Sequence, residues 1–268
     1  MKTKIAGLLL ITTMIFSFSS CSKKGCTDVN SFAYSGEKVK KDDGSCTYPT
    51  SIKKALVFKL TATWCHACGS YGKETTEQIL NDHSNAMVIQ INGSDEFSSD
   101  VGDEIKDLLS GSSYPSFYSG LTIVNGGPNT ISNTVDDELA ESVEVSMAME
   151  KQTLGAGMNI KVQSEWIGTP SGEYHLAVYI LEDNIVMPQI VTDLGDVTDF
   201  VHKHVLRAEA SNAGFGKVIV PTDNDGHMGH IEEFGVALQS TWVPANCYPV
   251  AVMWKKNGTT YDFVNFVM

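Results

Sequence analysis

Apolar and polar positions follow two different periods along the chain, and the change from one to the other divides it. Ala55 to Ala62 predicts a buried strand, and Ala67 to Asp82 a helix with Tyr71, Ile79 and Leu80 turned inward. Ala86 to Asn92 predicts a second strand, Asp100 to Leu109 a second helix, and Leu121 to Val124 a further strand. Thr134 to Thr153, with Leu139, Val143 and Met147 spaced by four, predicts a long amphipathic helix. Strands alternating with helices imply a sheet with a βαβ start.

From Gly157 the pattern changes to strands: Met158 to Trp166, Tyr174 to Leu181, Phe200 to Arg207, Lys217 to Val220, Ile231 to Trp242, Tyr248 to Lys255 and Tyr261 to Val267. Turn signals such as Thr169-Pro170-Ser171-Gly172 and Lys256-Asn257-Gly258 separate them. His175, Ala177 and Tyr179 alternate with Leu176, Val178 and Ile180, the register of a half-buried sheet. About seven short strands with little helix predict a β-sandwich, with a domain boundary near Leu154.

The chain begins with Lys2 and Lys4, an apolar stretch from Ile5 to Phe18, and small residues before Cys21. This is the layout of a secretory signal over residues 1–20, too short for a spanning helix, and no later apolar stretch is long enough to be one. The formal net charge is −13, and loss of Lys2 and Lys4 with the signal makes it −15. An acidic chain without a basic block is a poor partner for nucleic acid or anionic headgroups.

The stretch that carries candidate chemistry is Trp64-Cys65-His66-Ala67-Cys68, at the junction of the first strand and first helix. There Cys65 meets the unsatisfied N–H groups and the dipole of the helix start, which favour a thiolate and make it the nucleophile. Cys68, one turn on and on the same face, is placed to attack a mixed disulfide and is the resolving thiol. A protonated His66 between them would stabilise the thiolate further. Two other readings stand beside this one. Cys-x-x-Cys is also half of a zinc site, but no second half of similar spacing exists, and the pair could be a structural disulfide.

Cys26 and Cys46 bracket a polar segment rich in Gly, Asp, Ser and Lys, and are expected to pair and staple residues 21–50 in an oxidising envelope. Asp42, Asp43 and Ser45 match calcium ligands in kind, yet Asp-Asp-Gly-Ser needs nothing beyond a turn. Cys247 is left over, in an apolar strand, and reads as a buried small hydrophobe. His202 and His204, and His227 with His230, Asp223, Asp225 and Glu232, form polar clusters that a solvated surface explains without a metal. None of these readings calls for a cofactor, and no Gly-x-Ser-x-Gly elbow supports a hydrolase.

Several resemblances add to this. Phe18-Ser19-Ser20-Cys21 resembles a bacterial lipobox, which implies lipidation of Cys21 and a membrane tether, and Ser22 after it implies the outer membrane. The Cys26–Cys46 segment resembles a short module near the N-termini of exported proteins of Bacteroidetes-type bacteria. Residues from about 50 to 153 resemble a thioredoxin fold, on Trp64-Cys65-x-x-Cys68 and on Tyr114-Pro115, where such folds place a cis-proline beside the active disulfide. His66-Ala67 replaces the usual Gly-Pro, and Lys59 stands where thioredoxins carry a buried acid. A lysine there either shuttles a proton or snorkels out at the strand end, and snorkelling is the expectation. Finally, Tyr179 to Val186 with Gln189, then His202-x-His204-Val205-Leu206-Arg207 and the closing strand pair, resemble the Omp28 outer membrane protein family. That resemblance implies a lipoprotein signal (1–20), an N-terminal module (21–50), a thioredoxin-like domain (51–153) and a C-terminal β domain (154–268).

Two functions follow as expectations. One is an envelope thiol–disulfide oxidoreductase acting on protein thiols and disulfides through Cys65 and Cys68, with Pro115 shaping the peptide-binding edge. The other is a non-enzymatic binding lipoprotein in which the cysteine pair is structural.

Overall fold

A computed structural model describes residues 23–29, 31, 33–109, 113–224 and 226–268. The expected signal segment 1–20, Cys21, Ser22 and Asp225 lie outside the described residues. The chain forms two compact units, one ending at Thr47 and one spanning Tyr48–Met268.

In the first unit Cys26 and Cys46 are joined by a disulfide. Asp42 accepts a hydrogen bond from the Gly44 N–H at 2.9 Å and Asp43 one from the Ser45 N–H at 3.1 Å, so both aspartates close turns on their own backbone.

In the second unit β1 (Ala55–Thr61) pairs in parallel with β2 (Ala86–Asn92) and antiparallel with β3 (Ser116–Ser119), which hands on to β4 (Thr122–Ile123). Between β1 and β2 the chain is helical over 66–82, with a π-helical turn at Cys68–Gly72 running into α1 (Lys73–Asp82). Helix α2 (Asp100–Leu108) starts at Ser99, whose hydroxyl accepts the Gly102 N–H, and α3 (Pro128–Leu139) starts on a proline, whose missing N–H costs nothing there.

The later strands build on the same sheet. β7 (Tyr174–Glu182) is flanked on one side by Cys247–Asn257 and then Thr260–Val267, and on the other by Val205–Glu209. Val205–Glu209 in turn lies beside β2, through Val205 opposite Gln90 and the Gln90 N–H on the His204 carbonyl at 2.9 Å. One nine-stranded sheet therefore runs through the unit. β5 (Val145–Leu154), β6 (Gly157–Trp166), His227–Ala237 and Thr222–Asn224 form a separate four-stranded sheet.

Burial explains the layers. Leu56, Phe58 and Leu60 of β1, Ala177, Tyr179 and Leu181 of β7, and Trp254 line one face of the long sheet, which α2 covers through Val101 and Ile105. On the other face Ala55 and Val57 pack with Ile79 of α1 and Ile131 of α3. Further along that face Leu176, Val178 and Ile180 pack against Val145, Ile160 and Val162 of the four-stranded sheet. Every residue of β7 is buried, so the expected half-buried register is corrected: both faces of that strand are covered.

Other expectations change as well. The boundary expected near Leu154 falls at the end of a strand in the β5–β6 hairpin, inside one compact unit, and the C-terminal strands do not close a sandwich of their own. The long helix expected over Thr134 to Thr153 is instead α3 followed by β5. A spacing of four satisfies a two-residue period as well as a helical turn, and Val145 and Met147 are the buried positions of a strand. The run from Phe200 to Arg207 is broken at His204, whose φ is +58°. Among the described residues no helix is long and apolar enough to cross a membrane.

Candidate functional site

Cys65 sits immediately before the helical stretch and is bonded to Cys68 in a disulfide. The backbone N–H of Cys68 donates to Cys65 Sγ at 3.2 Å, so the sulfur occupies the position of an N-cap acceptor. Both cysteines are buried, Cys65 at 7% exposure and Cys68 at 2%, and they cluster with Ala62, Ala67 and Tyr114. His66 is exposed.

The surroundings come from four parts of the chain. Asp95, in the loop after β2, accepts the Thr63 N–H at 2.8 Å, the Asn92 amide at 2.9 Å and the Phe97 N–H at 2.9 Å, tying the loop before the cysteines to the sheet end. Trp64 is exposed and packs edge-on against Tyr114, centroids 5.4 Å apart. The Tyr114–Pro115 peptide bond is cis. Pro115 rests on Gly72, where a Cβ would lie 3.2 Å from its ring.

The fourth part is Gln189–Val191, a short strand from the second half of the chain that lies across the cysteine loop. The Gln189 amide nitrogen, buried with its side chain at 3% exposure, donates to the carbonyls of Cys65 at 3.0 Å and Ala62 at 3.2 Å. The Ile190 N–H donates to the Thr63 carbonyl at 2.8 Å, and Thr192 Oγ1 accepts the Ser70 hydroxyl at 2.9 Å. Gly69 makes the close approach possible, since a Cβ there would meet the Ile190 carbonyl oxygen and the Gln189 and Val191 side chains at 2.8 Å.

Lys59 corrects the snorkelling expectation. It shares a β1 face with Ala55 and Val57, points toward the helix that carries Cys68, and is only 3% exposed. Its Cε lies 3.4 Å from where a Gly72 Cβ would be. With Cys68, Gln90, Gln189, His202 and His204 it lines a cleft of about 370 Å³. Burial lowers its pKa from the ordinary lysine value to about 7.

The other candidates are engaged locally. His202 Nε2 meets the Met187 carbonyl at 3.2 Å and His204 Nδ1 the Tyr248 hydroxyl at 2.7 Å, and burial lowers the pKa of both. His227 contacts Glu165, and His230 contacts Glu232, each at 2.9 Å. No group of three or more His, Cys, Asp or Glu suited to a metal occurs among the described residues. Cys247 is buried with its pKa raised to about 11, first by desolvation and then by Glu182.

Fold and site define a β-rich protein in which a helix-capped cysteine pair is overlaid by a strand from the C-terminal half. A family model, "Outer membrane protein Omp28", matches residues 124–265, and the chain belongs to that family. Its place is the outer membrane of the cell envelope. The matched region contains Gln189 but not the cysteine pair. Among solved structures the chain is similar to HBP35 of Porphyromonas gingivalis, at 16% identity and a TM-score of 0.66 over 82% of this chain and 76% of that one. It is also similar to a domain of the outer membrane lipoprotein Omp28 from Porphyromonas gingivalis, at 14% identity and a TM-score of 0.32 over 47% of this chain and 85% of that one. No curated protein matches.

Proposed function

We propose that this protein is a thiol–disulfide oxidoreductase of the outer membrane, tethered through a lipid on Cys21, whose exchanging pair is Cys65 and Cys68 on a thioredoxin-like substructure. The observation that carries this is the Cys68 N–H on Cys65 Sγ at the first turn of a helix, a donor that favours the thiolate over the thiol. The parallel β1–β2 pair joined through that helix, the antiparallel β3 and the proline before it support the thioredoxin-like reading. Reduced Cys65 attacks a protein disulfide and Cys68 resolves the mixed disulfide; in the opposite direction the oxidised pair accepts electrons from protein thiols.

A second reading rests on the low exposure of both sulfurs beneath Gln189–Val191, which suits a structural disulfide in a binding lipoprotein. The reduction potential of the pair in glutathione buffers, on protein lacking residues 1–21, separates the two. A value of about −120 to −270 mV supports exchange chemistry, and one below roughly −300 mV marks a structural bond.

A further inference from the structure

The cleft beside the cysteine pair contains several polar groups, and most of them have partners. Lys73 is paired with Glu77 at 3.0 Å, the Gln90 amide donates to the Lys203 carbonyl at 2.6 Å, and both histidines hold the contacts already described. Lys59 differs: its amine has no hydrogen-bond or ion-pair partner among the described residues, although the side chain is buried. An unpaired buried ammonium is costly, and the neutral amine is the form that burial favours. Cys68, the resolving member of the cysteine pair, lines the same cleft.

We infer that Lys59 exchanges a proton with the Cys68 thiol during disulfide exchange, an assignment that rests on the oxidoreductase reading above. The reduced protein begins with a Cys65 thiolate. It attacks a substrate disulfide R–S–S–R, forming the Cys65–S–S–R bond and expelling one R–S⁻. The Cys68 thiol then gives its proton to the Lys59 amine, directly or through one water in the cleft. The Cys68 thiolate attacks Cys65 Sγ, the Cys65–Cys68 bond forms, and the second R–S⁻ leaves. Two electrons pass from the cysteine pair to the substrate, and the proton held on Lys59 is released to the departing thiolate through water. In the opposite direction the Lys59 ammonium protonates Cys68 as it leaves the disulfide.

The charged and titratable groups that face Lys59 are Lys73 and Glu77 on α1 and His202, Lys203 and His204 on the segment after Val201. Glu77 favours its protonated form and Lys73 opposes it. The lowered lysine pKa matches the neutral range in which general-base transfer is most effective.

An aryl disulfide that releases a coloured thiolate tests this, because the first release reports attack by Cys65 and the second reports resolution by Cys68. The protein is the chain without residues 1–21, with Cys26 and Cys46 replaced by serine and the free Cys247 by alanine so that only the site pair reports. Lys59→Met should lower the ratio of second-phase to first-phase rate about 10²-fold at neutral pH. Lys59→Arg, which keeps the charge but not a removable proton, should behave like Lys59→Met. Full rescue by arginine, or an unchanged ratio in Lys59→Met, overturns the inference. The wild-type profile tests it without any variant: the second phase should rise with pH through about 7. A second phase that rises only with ordinary thiol ionisation, near pH 8.5, overturns it. Release of neither thiolate by the wild-type protein defeats the oxidoreductase reading itself, a result distinct from a missing second-phase effect.

Discussion

The Gln189 side-chain amide donates to the main-chain carbonyl of Cys65 at 3.0 Å, across 124 residues of sequence. The same nitrogen reaches the Ala62 carbonyl at 3.2 Å, so one buried amide satisfies both sides of the loop that presents the cysteines. A strand of the family-matched half thereby holds the carbonyl frame of the cysteine pair.

Gln189→Ala removes that donor and leaves two loop carbonyls without it. The expected cost is about 1–3 kcal/mol of folding stability, the usual penalty for an unsatisfied buried group. Urea unfolding of oxidised protein measures it, and a loss below a few tenths of a kcal/mol would show that the contact does not hold the loop.

Gly69→Ala probes the same contact by crowding rather than deletion. Its Cβ would meet the Ile190 carbonyl oxygen at 2.8 Å, a backbone atom that cannot rotate away. A destabilisation of about 1–3 kcal/mol is expected. Gly72→Ala, whose nearest neighbours lie at 3.2 to 3.4 Å, should cost less, and the order of the two urea midpoints is the readout.

Lys59 gives the fold a pH dependence with a definite sign. Its folded-state pKa, about 7, lies below its unfolded value near 10.5, so between those values the unfolded chain binds more protons than the folded one. Lys59 is therefore most destabilising below pH 7, and stability should rise as pH increases through that window, by at most roughly 1.4 kcal/mol per unit. Lys59→Met should be more stable than wild type at pH 7, with a smaller advantage at pH 9. Denaturant curves at the two pH values check this, and a constant difference would contradict it.

Residues 154–268 should not fold alone. That fragment loses β5, the partner of β6 along its whole length, and leaves the Val205–Glu209 edge without β2. It also loses the Ile52 and Val145 carbonyls that the buried Asn265 amide satisfies at 3.0 and 2.9 Å. A fragment spanning residues 48–268 should give dispersed amide NMR spectra, and the shorter one should not.

Local order along the chain was legible in the residues. The run Ala86–Asn92 coincides with its strand, β1 ends one residue short of Ala62, and the helix after the cysteines ends at Asp82 as expected. The cysteine spacing and the Asp-Asp-Gly-Ser turn were equally plain, because strand period, helix period and turn chemistry are short-range properties. Even there, a spacing of four in Leu139, Val143 and Met147 fits two periods and misled the reading of β5.

What the sequence alone determined, then, is where the strands and helices around the cysteines lie and where the two closely spaced sulfurs sit. Tertiary structure alone decided that the strands of both halves share one sheet, that Gln189 and Asp95 frame the cysteine loop, and that Lys59 is buried with no hydrogen-bond or ion-pair partner among the described residues. The reason is physical: periodicity records that a position faces something apolar, but which distant strand supplies that neighbour depends on how the whole chain closes. A lysine at a strand end reads as solvent-facing until a helix and a strand from elsewhere are laid over it.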